Sequence, residues 1–224
     1  EGVISHPDGD LVVKEDSCMG TKDRSWGVRA VGEAETGGAP AQGPGIFFFW
    51  TPLIWDDHVS HAIFFDGPKG ESLVREGLIA PLYASESEVP EDGESQIERQ
   101  LTARHRIKYH PGTRLASSAE VDLVALDESV RTIKMTPILK FMMKGLGYTH
   151  PEWRQGAWKG ELEIGHESFD PRQLDHLAPE NIHNQQVVKV TDGQREGIGV
   201  MEQIFFGPYR PSGFKGILDG SAGE

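Results

Sequence analysis

"QIERQLTARHRIKYH", residues 96–110, alternates between apolar and polar side chains for most of its length. Ile97, Leu101, Ala103, His105, Ile107 and Tyr109 share one face, broken only by Arg99. Glu98, Gln100, Thr102, Arg104, Arg106 and Lys108 share the other. Successive strand side chains point to opposite faces, so this period of two predicts a long antiparallel strand with one buried and one wet face. "GIGVMEQIFFG", residues 197–207, repeats the pattern, with Ile198, Val200, Glu202, Ile204 and Phe206 alternating with Gly199, Met201, Gln203 and Phe205.

Shorter strands are expected at residues 10–14, 24–31, 45–50, 59–66, 119–126, 129–135, 157–165 and 185–191. "DGPKG", "YHPG", "LDES" and "TDG" punctuate them as turns. Many short strands with regular turns predict an all-β sandwich or an up-and-down antiparallel barrel. One short helix is expected in "DPRQLDHL", with Asp170 as N-cap and Pro171 at the first helical position. Residues 84–95 are acidic and contain Pro and Gly, so they are read as a solvated loop, and the Gly-rich stretch 32–45 as a long connection.

The net charge of −13 over 224 residues argues against a nucleic-acid partner, because phosphates repel such a surface. The longest apolar candidate, "IFFFWTPLIW", is interrupted by Pro52 and falls short of the ~20 residues of a membrane span. Cys18 is the only cysteine, so an internal disulfide is excluded, and with no signal pattern at the start the expected location is cytoplasmic.

"DRSWGVR", residues 23–29, places Asp23, Ser25, Gly27 and Arg29 on one strand face and Arg24, Trp26 and Val28 on the other. Asp23 and Arg29 would stand roughly 20 Å apart along a strand, so each needs a partner from elsewhere in the fold. Two readings stand: a structural strand with Trp26 in the core, or a polar face turned into a lumen. First and last strands of an up-and-down barrel are neighbours. Glu202, alone among apolar side chains, must be paired or keep its proton, and Arg29 or Arg24 is the expected partner.

"IFFFWTPLIWDDHVSHAIFFD", residues 46–66, concentrates Trp50, Trp55 and several phenylalanines around His58 and His61. Such density fills a core or lines an apolar pocket. The two histidines, three apart on a strand, point to opposite faces, so no metal site is expected; one of them facing a pocket as acid, base or donor fits better. "GLGYTHPEWRQGAWKGEL", residues 145–162, brings His150, Glu152, Trp153, Arg154 and Trp158 together as a pocket wall or a packed β-corner. Phosphate-binding, dinucleotide-binding and nucleophile-elbow motifs are absent, and no cofactor is expected.

"GTKDRSWGVR", "GYTHPEWRQGAWKGEL" and "GIGVMEQIFFGPYRPSGFKGILDG" together resemble the later part of the AttH-like and hydroxyneurosporene-synthase-like (carotenoid 1,2-hydratase-like) proteins, over about residues 18–220. The resemblance implies a lipocalin-like, calycin-type barrel or strongly curved sandwich over 18–224. Residues 1–17 would then be the end of a preceding β-domain or a linker. It also implies a cofactor-independent hydratase, lyase or isomerase acting on an apolar terpenoid, steroid or aromatic molecule in the barrel. In that expectation Trp26, Trp50, Trp55 and Trp153 line the mouth. Asp23 or Glu202 is the general acid, and Arg29, His58 or His150 orients it or the attacking water. The alternatives are a non-catalytic carrier and a structural half whose upstream β-domain, or a second copy in a homodimer, completes it.

Overall fold

The computed structural model describes residues 1–14, 17–27 and 45–222. Strands β1 (Gly2–His6) and β2 (Gly9–Val13) pair as a separate exposed hairpin. The remainder is β3 (Ile46–Ile54), β4 (His58–Asp66), β5 (Ser72–Pro81), β6 (Glu98–Arg99), β7 (Thr102–Tyr109), β8 (Ala116–Val124), β9 (Val130–Met142), β10 (His183–Thr191) and β11 (Glu196–Phe206). These nine form one antiparallel sheet in the order β6-β5-β4-β3-β11-β10-β9-β8-β7. It is a strongly curled, lipocalin-like half-barrel.

The order is an up-and-down meander in which the last strand, β11, returns to pair with β3. The two edges of the sheet are consecutive pieces of the 96–110 segment. Gln100 N–H donates to Gly77 O of β5 (2.9 Å), and the next residue, Leu101, donates to Val124 O of β8 (2.8 Å). The partner switch occurs just after Arg99, the one residue that breaks the alternation, and leaves Leu101 exposed. Gly77 permits the approach, since a Cβ there would stand 2.9 Å from Leu123 Cδ2 and 3.3 Å from Gln100 Cβ.

Inside the curl, Phe47, Phe49 and Leu53 of β3, Ala62 and Phe64 of β4, and Met201 and Phe205 of β11 are buried. Phe47 stacks on Tyr209 (3.8 Å), Phe205 (4.2 Å) and His105 (5.0 Å). Each fully buried large apolar side chain contributes about 1.5–3 kcal/mol, so this aromatic cluster is a main source of stability. It occupies the interior where a ligand lumen was expected.

One polar knot sits within it. Asp66 accepts from Arg75 (2.9 Å), His105 (3.1 Å) and Tyr209 (2.8 Å). Burial would push its carboxyl up, but the three donors outweigh that and hold it below its ordinary value.

The chain after β11 closes one end. Arg114, 3% exposed, donates to backbone oxygens of Phe205, Gly207, Gly216 and Asp219 and to the Asp219 carboxylate, and lies over the Phe214 ring. Gln203 and Gln186 reach across the interior to the backbone of Arg114 and Ala116.

Three expectations change. Residues 24–27 carry no regular structure, and the rest of the 24–31 strand lies outside the described residues, as does nearly all of the 32–45 connection. Residues 157–165 form no strand; Trp158, Leu162 and Ile164 are at least 80% exposed, and this stretch pairs with no strand among the described residues. The helix after Asp170 is a single 3-10 turn, Pro171–Gln173, capped by the Asp170 carboxylate on Arg172 N–H (3.0 Å).

Candidate functional site

The chain leaves β9 at Met142 and does not return to the sheet until His183, and the intervening loop folds over the end of β9. Met143 N–H donates to His183 O (3.0 Å), anchoring the start. Lys144 and Gly145 follow with φ of 54° and 68°. A Cβ on Gly145 would meet Thr149 Oγ1 at 2.4 Å, so only glycine fits the turn. Its carbonyl accepts the N–H groups of Tyr148 and His150, both at 2.8 Å.

That turn delivers His150 into the loop's centre. Its Nδ1 accepts the backbone N–H groups of Glu152 (3.1 Å) and Trp153 (3.0 Å). A nitrogen receiving two N–H groups carries no proton, so the neutral ring holds its proton on Nε2 and acts there as a donor. Nε2 lies 3.7 Å from a carboxylate oxygen of Glu167. Gly165 lets the returning chain cross the Trp153 indole, since a Cβ there would stand 2.6 Å from Trp153 Cζ2.

Around these groups opens a cavity of about 770 Å³. Phe141, Met142, Met143, Leu146, Trp153 and Phe169 supply its apolar wall; Lys144, His150, Glu152, His166 and Glu167 supply its polar groups. Lys159 pairs with Glu152 (3.2 Å) and lies over the Trp153 ring, which fixes both. The arrangement suits an apolar molecule that offers a hydrogen-bond acceptor to His150.

The residues singled out in the sequence fall into separate places. His150 and Trp153 share the loop cavity. Trp55 and His58 stack at the opposite turn end of the sheet, with Trp55 Nε1 donating to Ser60 Oγ (2.8 Å). His58 Nδ1 pairs with Asp57, whose carboxyl the His58 hydrogen bond lowers below its ordinary value. Trp50 and Glu202 are cross-strand partners on the outer face of the sheet. Trp26 is 84% exposed and Asp23 lies in the same exposed segment, so neither lines a barrel mouth with the other tryptophans. Arg29 lies outside the described residues.

Glu202 is paired as expected, but with other partners. His183 Nε2 sits 2.7 Å from Oε1 and Gln185 Nε2 donates to Oε2 (2.9 Å), both from β10. The first-and-last-strand rule holds within the nine-stranded sheet, whose first strand is β3, so Glu202 stands opposite Trp50. His61, beside Trp50 on the outer face, is pushed below its ordinary value by burial against the opposing pull of Glu76. His183, Gln185, Glu167 and Arg131 escaped the sequence reading: the first two and Arg131 meet partners on other strands, and Glu167 stands 17 residues along the same loop from His150, with no local motif to mark any of them.

Among the described residues no group of three or more His, Cys, Asp or Glu side chains is placed to hold a metal ion, and no helix is long and apolar enough to cross a membrane. The family model for a family of unknown function, DUF8625, matches residues 1–215. The chain belongs to that family. No curated protein and no solved structure matches this DUF8625 chain. In the DUF8625 protein the matched region includes the hairpin, all sheet strands and the whole loop cavity.

Proposed function

We propose that this protein binds a largely apolar small molecule carrying a carbonyl group in the 141–169 cavity and acts on it by cofactor-independent acid–base chemistry of the isomerase or lyase kind. The observation that carries the reading is His150, whose Nδ1 is taken by two backbone N–H groups and whose Nε2–H is therefore a committed donor beside Glu167. A neutral imidazole donor polarises a carbonyl oxygen, and a nearby carboxylate takes a proton from the adjacent carbon; the enol so formed returns the proton elsewhere or expels a leaving group. Phe141, Trp153 and Phe169 would hold the apolar body of a terpenoid, steroid or aromatic ketone. The resemblance to the AttH-like and hydroxyneurosporene-synthase-like proteins points to the same substrate class.

A carrier is the second reading, favoured by the half exposure of the Glu167 side chain (50%), which keeps that carboxylate hydrated. The test incubates the chain with a panel of aromatic, terpenoid and steroid ketones in D2O. It follows binding at the Trp153 indole by NMR and deuterium entry beside the carbonyl. Exchange that disappears in Glu167→Gln, and binding that weakens in His150→Ala, support the enzyme. Saturable binding without exchange makes the protein a carrier, and no binding by any ketone refutes both readings.

A further inference from the structure

At the other end of the curl, a second cavity of about 450 Å³ opens between the turn joining β8 to β9 and the turn joining β10 to β11. Ser129, Arg131, Thr132, Asp192, Gln194 and Arg195 supply its polar lining. Arg131 lies on the face of β9 that carries the buried Ile133 and Met135, so its side chain is drawn in towards the mouth.

Among the described residues no carboxylate is hydrogen-bonded to Arg131, although, against the upward push of burial, its charge reaches the Asp192 carboxylate across the mouth and helps to hold that carboxyl below its ordinary value. Among the described residues the hydrogen-bond contact of Arg131 is from NH1 to His58 Nε2, at 3.3 Å. The Nε2 atom accepts, so the His58 proton is on Nδ1, shared with Asp57, and a neutral ring faces the guanidinium. Neither nearby carboxylate hydrogen-bonds the Arg131 fork. Asp57 takes the His58 ring and Arg195 NH1 (3.1 and 3.2 Å). Asp192 Oδ1 accepts the backbone N–H groups of Gln194 (3.0 Å) and Arg195 (2.8 Å) and so holds its own turn. A guanidinium has five donors in a planar fork, and among the described residues only NH1 of Arg131 has a hydrogen-bond partner, which leaves most of the fork open to a further acceptor.

We infer that this mouth binds an oxyanion, a carboxylate or phosphate group of a small molecule, with the Arg131 fork as its principal donor. Two parallel N–H···O bonds from one guanidinium match either group, and Arg195 adds positive charge from the facing turn. The net charge of −13 repels anions from the surface at large, so saturable uptake here requires a specific site. The site is independent of the loop cavity and stands whether or not that cavity is catalytic.

The experiment titrates inorganic phosphate and, separately, benzoate into the 15N-labelled chain at constant ionic strength. Saturable shifts confined to the backbone amides of residues 129–132 and 192–195 are expected from at least one of the two probes. Saturation by phosphate alone assigns a phosphate site, and saturation by benzoate alone assigns a carboxylate site. Arg131→Gln should weaken binding about tenfold or more, and Arg131→Lys, which keeps the charge but loses the fork, should fall between. Linear, dispersed shifts for both probes, or undiminished affinity in a folded Arg131→Gln variant, would overturn the inference. Should that variant fail to fold, the shift map of the native chain decides alone.

Discussion

Arg114→Met tests what holds the closed end of the sheet together. The guanidinium makes five hydrogen bonds, four of them to backbone oxygens of residues between Phe205 and Asp219, and it is 3% exposed. Methionine keeps much of the volume and the contact with Phe214 but offers no donor. Each hydrogen bond to a charged group is worth about 1.5–3 kcal/mol, and removing one partner of a buried pair costs about 3–5 kcal/mol. Two effects pull the loss to the lower end of that range: methionine has no charge to desolvate, and Asp219, whose side chain is 38% exposed, can turn to water. A loss of about 3 kcal/mol corresponds, at about 2–4 °C per kcal/mol for a chain of this size, to a fall in Tm of about 6–12 °C. The assay is thermal unfolding with amide exchange in parallel. If the closing segment detaches first, Gly207 N–H on Ile217 O and Gly112 N–H on Ser221 O lose protection before the sheet does. A fall of less than about 2 °C, with those two amides still protected, would refute the view that Arg114 pins the C-terminal segment.

Asp66→Asn should cost about 3–5 kcal/mol at neutral pH, since it strips the charge that Arg75, His105 and Tyr209 surround. The folded carboxyl lies below its unfolded value, so its contribution is complete above about pH 4 and drains away as pH falls through the folded value. Urea titrations from neutral to acid pH should therefore show a shallower loss in the variant than in the native chain. Gly199→Ala places a Cβ 2.4 Å from Pro52 O and 2.8 Å from Leu53 Cα; prying β11 from β3 should cost about 2–3 kcal/mol by chemical denaturation. Gly20→Ala, with nothing within 4 Å, should change stability by less than about 0.5 kcal/mol. Glu202→Leu leaves His183 Nε2 and Gln185 Nε2 without their acceptor and should cost about 2–4 kcal/mol, against about 1 kcal/mol for Glu202→Gln, measured the same way.

Alternation found most of the sheet because burial in β3, β4, β7 and β11, and in β10 from Asn184 on, follows it closely. It missed β5, "SLVREGLIAP", where Arg75 and Gly77 fall on the inward face and Leu73 and Val74 are exposed, so polarity and burial do not run together. It also placed a strand over 157–165, where Trp158, Leu162 and Ile164 alternate but no partner strand is offered; a strand is a relation between two segments, and local pattern describes only one. Residues 23–27 failed for the same reason. The loop cavity was half visible: His150, Glu152 and Trp153 sit in one stretch, whereas Glu167 and Phe169 reach them only through the Gly145 turn and the Gly165 crossing.

Glu202 marks the limit of such reading. The rule that a carboxylate in an apolar row must be paired held, yet its partners depend on register, which one sequence does not display. Both rows of β11 are largely apolar, Ile198, Val200, Ile204 and Phe206 on one side and Met201 and Phe205 on the other, so hydrophobicity does not choose which row turns inward. The polar residues choose it. Gln203 spans the interior, accepting from Ala116 N–H (3.0 Å) and donating to Arg114 O (2.9 Å), and a carboxylate in that place would have no donor for the carbonyl. On the outer face the need is reversed. Glu202 meets the Gln185 amide donor and the His183 imidazole, and an acceptor-only side chain answers both. Exchanging the two residues would leave unpaired polar atoms on both faces, so the Glu202-Gln203 dipeptide sets the sidedness of the strand.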